Sequence, residues 1–246
     1  MIPIFVVLYR NPDVERRCLA AVRSFADPTK FDLVVVDNGD ANENLAVVWN
    51  RMVRQYERSP HWHNDSDPVF CLLNTDCFLV DAETLPRLEQ VLRASPKVGF
   101  AGPMTDHCNS AQSINTPNWQ RVGGWTKEAF ADQVLFGQYI SGFCLLVRLA
   151  AWRDAGGFDA SAPFYGQESA LIWKARQHGW QTAMVVDAFV EHLGGATAKK
   201  YLDQDAERQK GRQWFREYQQ KTGVAAQQAP SSSDAAGRPP LNAEGR

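Results

Sequence analysis

Two carboxylates stand where an apolar run ends abruptly. Asp37 closes "FDLVVVD", and Asp76 follows "VFCLL" after Asn74 and Thr75. Short apolar runs rich in branched residues read as buried strands. In open α/β sheets, ligands bind beyond the carboxyl ends of the strands. If both strands run the same way in one sheet, both side chains emerge along one rim. Carboxylates there suit a hard divalent cation, Mn2+ or Mg2+, which takes oxygen ligands. A cation held by only one or two side chains keeps open positions for phosphate oxygens. Asp is equally at home in plain turns, so neither residue decides the matter alone.

The elements that would position them alternate. "IPIFVVL", "FDLVVVD", "VFCLL" and "KVGFAG" read as strands. Between them "NPDVERRCLAAVRSFA", "NLAVVWNRMVRQYER" and "ETLPRLEQVLRAS" read as helices, the first with Asn11 as its cap and Pro12 at its first position. Alternation of this kind predicts a parallel sheet covered on both faces, and the unbroken apolarity of the strands agrees. The pattern lapses between Pro103 and Gly137, where Trp119 and Trp125 sit among Asn, Gln and Gly. These tryptophans are either core residues under a loop or part of a lid that Gly123 and Gly124 would let close. "YISGFCLLVRLAAW" returns as a strand entering a short helix. "GQESALIWKARQHGW" follows as a helix and "QTAMVVDAFVEH" as a last strand.

Composition narrows the field. The chain has 246 residues, 44% hydrophobic and 22% charged, with a formal net charge of -2. That balance gives no bulk attraction to nucleic acid. The five cysteines form no C-x-x-C pair, which predicts reduced thiols and a cytoplasmic setting. No G-x-G-x-x-G follows the first strand and no G-x-x-x-x-G-K-[ST] occurs. A nucleotide would therefore be bound without a glycine phosphate loop.

The ordered set "VVVDNGD", "LLNTDCFL", "ISGFCLLVRLAAWRDAGGFD", "YGQESALIWKARQHGW" and "VVDAFVEHLGG" resembles the family 2 glycosyltransferases over about residues 1 to 195. The resemblance implies a GT-A fold: a mostly parallel central sheet with helices on both faces and a Rossmann-like nucleotide-binding half. It implies that Asp37, with Asn38 beside it, contacts the donor base. Asp76 takes the place of the last aspartate of the D-x-D motif, with Asn74 in the first position and Thr75 between them. Asp76 would hold the metal, and His192 would complete the site. Glu168 stands where the family has its catalytic base, although its neighbours are Gln167, Ser169 and Ala170 rather than acidic residues. Set in the first turn of a helix, it would be helped to stay ionised by the dipole.

The expected reaction is transfer of a sugar from a UDP- or dTDP-linked donor to a hydroxyl of a glycan or glycolipid, with inversion and with Mn2+ or Mg2+ on the diphosphate. A sugar nucleotidyltransferase and a catalytically degenerate nucleotide-binding module stay open as alternatives. The transferase domain is expected over residues 1–198, a docked helix over 199–223 with Trp214, Phe215 and Tyr218 as contacts, and a disordered tail over 224–246. Lys210, Arg212 and Arg216 would allow weak peripheral contact with the inner face of a membrane.

Overall fold

The computed structural model describes residues 1–63 and 65–222; the expected tail lies outside the described residues. In chain order the elements are β1 (Ile2–Leu8), α1 (Pro12–Phe25), β2 (Phe31–Asp37), α2 (Leu45–Tyr56), α3 (Pro60–His63), β3 (Val69–Leu73), β4 (Cys77–Leu79), α4 (Thr84–Ala94) and β5 (Val98–Thr105). They continue as α5 (Pro117–Arg121), β6 (Val134–Phe136), β7 (Cys144–Arg148), α6 (Leu149–Asp154), α7 (Gln167–Gln177), β8 (Gln181–His192), α8 (Ala198–Tyr201) and α9 (Gln204–Lys221).

One mixed sheet runs β2-β1-β3-β7-β5-β8-β4, with β6 paired to β8. The direction of each pairing follows from the register. β1, β2, β3, β5 and β8 point one way, while β7, β4 and β6 oppose them. The sheet is thus mostly parallel, but β7 is inserted antiparallel between β3 and β5.

Strand residues alternate between two apolar layers. Phe5, Val7, Phe70 and Leu72 join Trp49, Met52 and Trp152 from α2 and α6 on one face. Ile4, Val6, Cys71 and Leu73 join Cys18, Leu88 and Leu92 from α1 and α4 on the other. The continuous apolar strands arise because both faces are covered.

Three local expectations are refined. Asn11 occupies the N-cap position of α1 without a capping side-chain bond. Glu15 instead reaches back to accept from the backbone N–H groups of Tyr9 (2.7 Å) and Asn11 (3.0 Å). The amide of Asn11 is drawn toward the C-terminal region, where it meets Thr197 and Lys200. Between Pro103 and Gly137, Trp119 donates to the Ala111 carbonyl at 3.0 Å. Trp125 donates to the Val186 carbonyl at 2.9 Å and stacks on Phe189. Both are packing residues. The helix expected over 199–223 is broken at Leu202–Asp203, and Asp203 caps α9 through the N–H groups of Asp205 and Ala206. Trp173 receives Phe215 and Tyr218 edge-on, so α9 docks on α7. Among the described residues no helix is long and apolar enough to cross a membrane.

Candidate active site

Strand register brings Asp76 to His192. Residues 74–76 link β3 to β4, and β4 pairs with the end of β8 so that Cys77 faces His192. Asp76 is 5% exposed, with Oδ1 3.4 Å from His192 Nε2. Its Oδ2 accepts from the backbone N–H groups of Gly195 (2.6 Å) and Ala196 (2.9 Å). Two glycines make that grip possible. Gly194 and Gly195 have φ of 67° and 82°, a region costly for residues with a Cβ. The turn aims successive N–H groups at one anion, as backbone nests do. A Cβ on Gly194 would lie 2.0 Å from the His107 ring, so close packing also demands glycine there.

His192 is fixed on three sides. Nδ1 lies 2.7 Å from the His107 carbonyl, its backbone N–H donates to Asp106 Oδ1 at 2.9 Å, and its ring stacks on Phe143. A carbonyl only accepts, so in the neutral ring Nδ1 holds the proton and Nε2 turns its lone pair toward Asp76. A backbone carbonyl on the far nitrogen is the usual support of a metal-binding histidine. Burial alone would raise the pKa of Asp76. The His192 ring where it carries a proton on Nε2, together with the two backbone N–H groups, outweighs it and holds the carboxyl below its usual range.

A lone pair and a carboxylate oxygen at this separation call for a proton or a cation between them. Donor atoms on adjacent corners of an octahedral shell of about 2.1 Å radius stand roughly 3 Å apart, so Asp76 Oδ1 and His192 Nε2 fit one divalent cation. Among the described residues no cluster of three or more His, Cys, Asp or Glu is placed to hold a metal. The chain would supply two ligands and leave the remaining positions open.

Glu168 reaches the same cavity from the second position of α7. Gly166 precedes the helix at φ 133°. The segment Ser141–Phe143 passes close by: a Cβ on Gly142 would lie 3.3 Å from that of Glu168. The next residue, Phe143, stacks on His192 and accepts the Asn74 N–H through its carbonyl at 2.9 Å. One three-residue stretch therefore touches both the Glu168 side and the Asp76 side. Fully buried Gln112 pins it, accepting the Ser141 N–H at 2.6 Å while donating to the Pro103 carbonyl at 2.7 Å. Burial raises the pKa of Glu168 and prevails over the lowering by the backbone N–H groups of Glu168 and Gly166. The help toward ionisation expected from the helix start is outweighed by this burial.

These side chains line one cavity of about 760 Å3. Tyr9, Asn42–Leu45, Asn74, Thr75, Asp76, Tyr139, Glu168 and His192 all contribute to its lining. Asp37 and Asn38 are not among the described residues that line it. Asp37 is exposed and accepts the Gly39 N–H at 2.8 Å. Asn38 is buried, its amide bonded both ways to the Glu43 backbone. It therefore shapes the loop that carries Asn42–Leu45 to the cavity. Sequence reasoning missed His107, the backbone of Gly195 and Ala196, and the wall supplied by Arg208, Gly211 and Phe215 of α9. The glycine pair in "HLGG" is the signal that could have found the second of these.

A family model described as Glycosyltransferase like family 2 matches residues 2–215. No curated protein matches the sequence. Among solved structures, the chain is similar to mannosyltransferase PcManGT from Pyrobaculum calidifontis, solved in complex with GDP-Man and Mn2+. The two share 14% identity at a TM-score of 0.48, over 78% of this chain and 56% of that one. It is also similar to S. aureus TarS 1-349, with 12% identity and a TM-score of 0.48, over 78% of this chain and 60% of that one. The chain thus spans less than two thirds of either solved chain.

Proposed function

We propose that this chain, which belongs to Glycosyltransferase like family 2, moves a sugar from a UDP- or dTDP-linked donor to a hydroxyl of a glycan or glycolipid. The observation that carries the reading is the opening of Asp76, His192 and Glu168 into one cavity. Asp76 and His192 would hold Mn2+ or Mg2+, with Asn74 and Thr75 beside the diphosphate. The nucleoside would extend toward Tyr9 and Asn42, over the loop that Asp37 and Asn38 shape. A divalent cation bound there would offset the charge that grows on the leaving diphosphate.

The chain's own residues do the rest. The N–H groups of Gly195 and Ala196 keep Asp76 ionised and leave Oδ1 for the cation. Glu168 accepts the proton of the acceptor hydroxyl as it attacks. A raised pKa brings that base closer to working pH, where a general base is most effective. With Glu168 as the one base, the acceptor displaces the diphosphate in a single step and inverts the anomeric centre. We place the reaction in a reducing compartment, a reading supported by five cysteines that are all free thiols.

The test is thermal unfolding with Mn2+ and pyrimidine nucleotides. A ligand at 100 times its Kd stabilises by about 2.7 kcal/mol, so UDP or dTDP with Mn2+ should raise Tm by several degrees. No shift with any pyrimidine nucleotide, with or without metal, would overturn the reading.

A further inference from the structure

We infer that Gln204, the first residue of α9, is a positioning residue that clamps the segment holding Asp76 to the segment holding Glu168. Its side-chain Nε2 donates to the Gly195 carbonyl at 3.2 Å and to the Tyr165 hydroxyl at 3.0 Å. Its Oε1 accepts from Arg208 at 3.3 Å, which sets the orientation of the amide. Each target leads to a different half of the site. The N–H of Gly195 grips Asp76, and Tyr165 stands immediately before Gly166, the residue from which α7 and Glu168 start.

Tyr165 is held by α9 along one stripe of the helix. Positions i, i+4 and i+7 fall on one face, and here they are Gln204, Arg208 and Gly211. The Arg208 guanidinium lies 5.3 Å from the centre of the Tyr165 ring. A Cβ on Gly211 would lie 1.7 Å from the Tyr165 carbonyl oxygen. Only a glycine lets the helix backbone come so near. The phenol also feels both halves of the site. Burial raises its pKa, Arg208 lowers it, and Asp76 and Glu168 each raise it.

The clamp depends on donation. The Gly195 carbonyl can only accept, so a residue of the same size without an N–H cannot hold it. Gln204 is not among the described residues lining the cavity, so it acts through Gly195 and Tyr165. α9 becomes a working part of the site, tying cation ligand and base together with a single amide. The inference rests on the reading of Asp76 and Glu168 given under Proposed function.

The test compares the full chain with Gln204→Ala and Gln204→Glu, the second filling the same volume without an amide donor. Hydrogen exchange is followed over residues 194–196 and 166–169, alongside transfer from the donor that supports turnover. Exchange should quicken about tenfold in both segments of Gln204→Ala and at 194–196 in Gln204→Glu, whose carboxylate can still accept from the Tyr165 hydroxyl. kcat should fall about 10- to 100-fold with donor KM within threefold, the range seen when supports of a site are removed. Exchange within twofold of wild type at either segment of folded Gln204→Ala, or at 194–196 of folded Gln204→Glu, overturns the clamp, as does full kcat in Gln204→Glu. Should both variants fail to fold, Tyr165→Phe removes only the hydroxyl that Gln204 bonds. It should quicken exchange at 166–169, and an unchanged rate there overturns the inference. If the wild type transfers no sugar at all, the reaction reading falls, and exchange alone decides the clamp.

Discussion

Replacing Glu168 with Gln separates catalysis from stability. The side chain keeps its shape and loses only its charge, so the contact with Gly142 survives. As general base, Glu168 would be worth about 10²- to 10⁴-fold in rate, or about 2.7–5.4 kcal/mol of transition-state stabilisation. Stability should move the other way. Burial raises the pKa of Glu168 in the folded chain, so the folded state binds its proton more tightly than the unfolded state. Its contribution to stability is complete below the unfolded pKa and is lost as pH rises through the raised folded value. At pH 8 the ionised side chain is a net cost that an amide does not carry. The Glu168→Gln variant should therefore melt at or above the wild-type temperature. It should release nucleotide diphosphate at about 1% of the wild-type rate or less. The wild-type rate should rise with pH through a midpoint above the usual Glu value of about 4.3, and that limb should vanish in the variant. Turnover within threefold of wild type, or a clear fall in Tm at pH 8, would refute the assignment.

Asp76→Asn keeps an oxygen for the N–H groups of Gly195 and Ala196 but presents no second carboxylate oxygen. Metal-dependent nucleotide binding should weaken at least tenfold by calorimetry, while metal-free nucleotide affinity changes little. Arg148 is buried and donates to the carbonyls of Leu92, Ser95 and Val98 and to Asp67, covering the end of α4. Arg148→Met should cost about 3 kcal/mol or more, because buried acceptors lose a charged donor; urea unfolding measures it. Four of the five thiols are buried. Burial, with Asp76 and Cys144 nearby, pushes Cys18 up to about 12. A thiol reagent should titrate Cys108 alone in the native chain and all five after unfolding.

The layered fold is readable because its cause is local. Runs such as "VFCLL" can be buried on both sides only inside a sheet with two covers, and the helices between them have their own stops. β7 is harder. "CLLVR" looks the same whether it runs with its neighbours or against them, since an inner strand buries both faces either way. Its direction is set by its antiparallel pairing with β3 and β5, a long-range contact that no window of residues records. β4 reads only as apolar sequence after Asp76. At three residues it depends on pairing with β8, so its identity as a strand is a tertiary fact.

The same distinction governs the site. Asp76 and Glu168 can be found from position, since one follows the end of a strand and the other starts a helix. What gives them their properties is remote in sequence. Gly195 and Ala196 reach Asp76 across 119 and 120 residues. The His107 carbonyl orients His192 across 85 residues. A carboxylate at a strand end in open water would have its ordinary pKa and either oxygen free. Here one oxygen is occupied by the nest and the other faces an imidazole, so a bound cation would meet Asp76 through Oδ1. That asymmetry comes from two left-handed glycines after β8. Any side chain at 194 or 195 should loosen Asp76 before it disturbs the sheet.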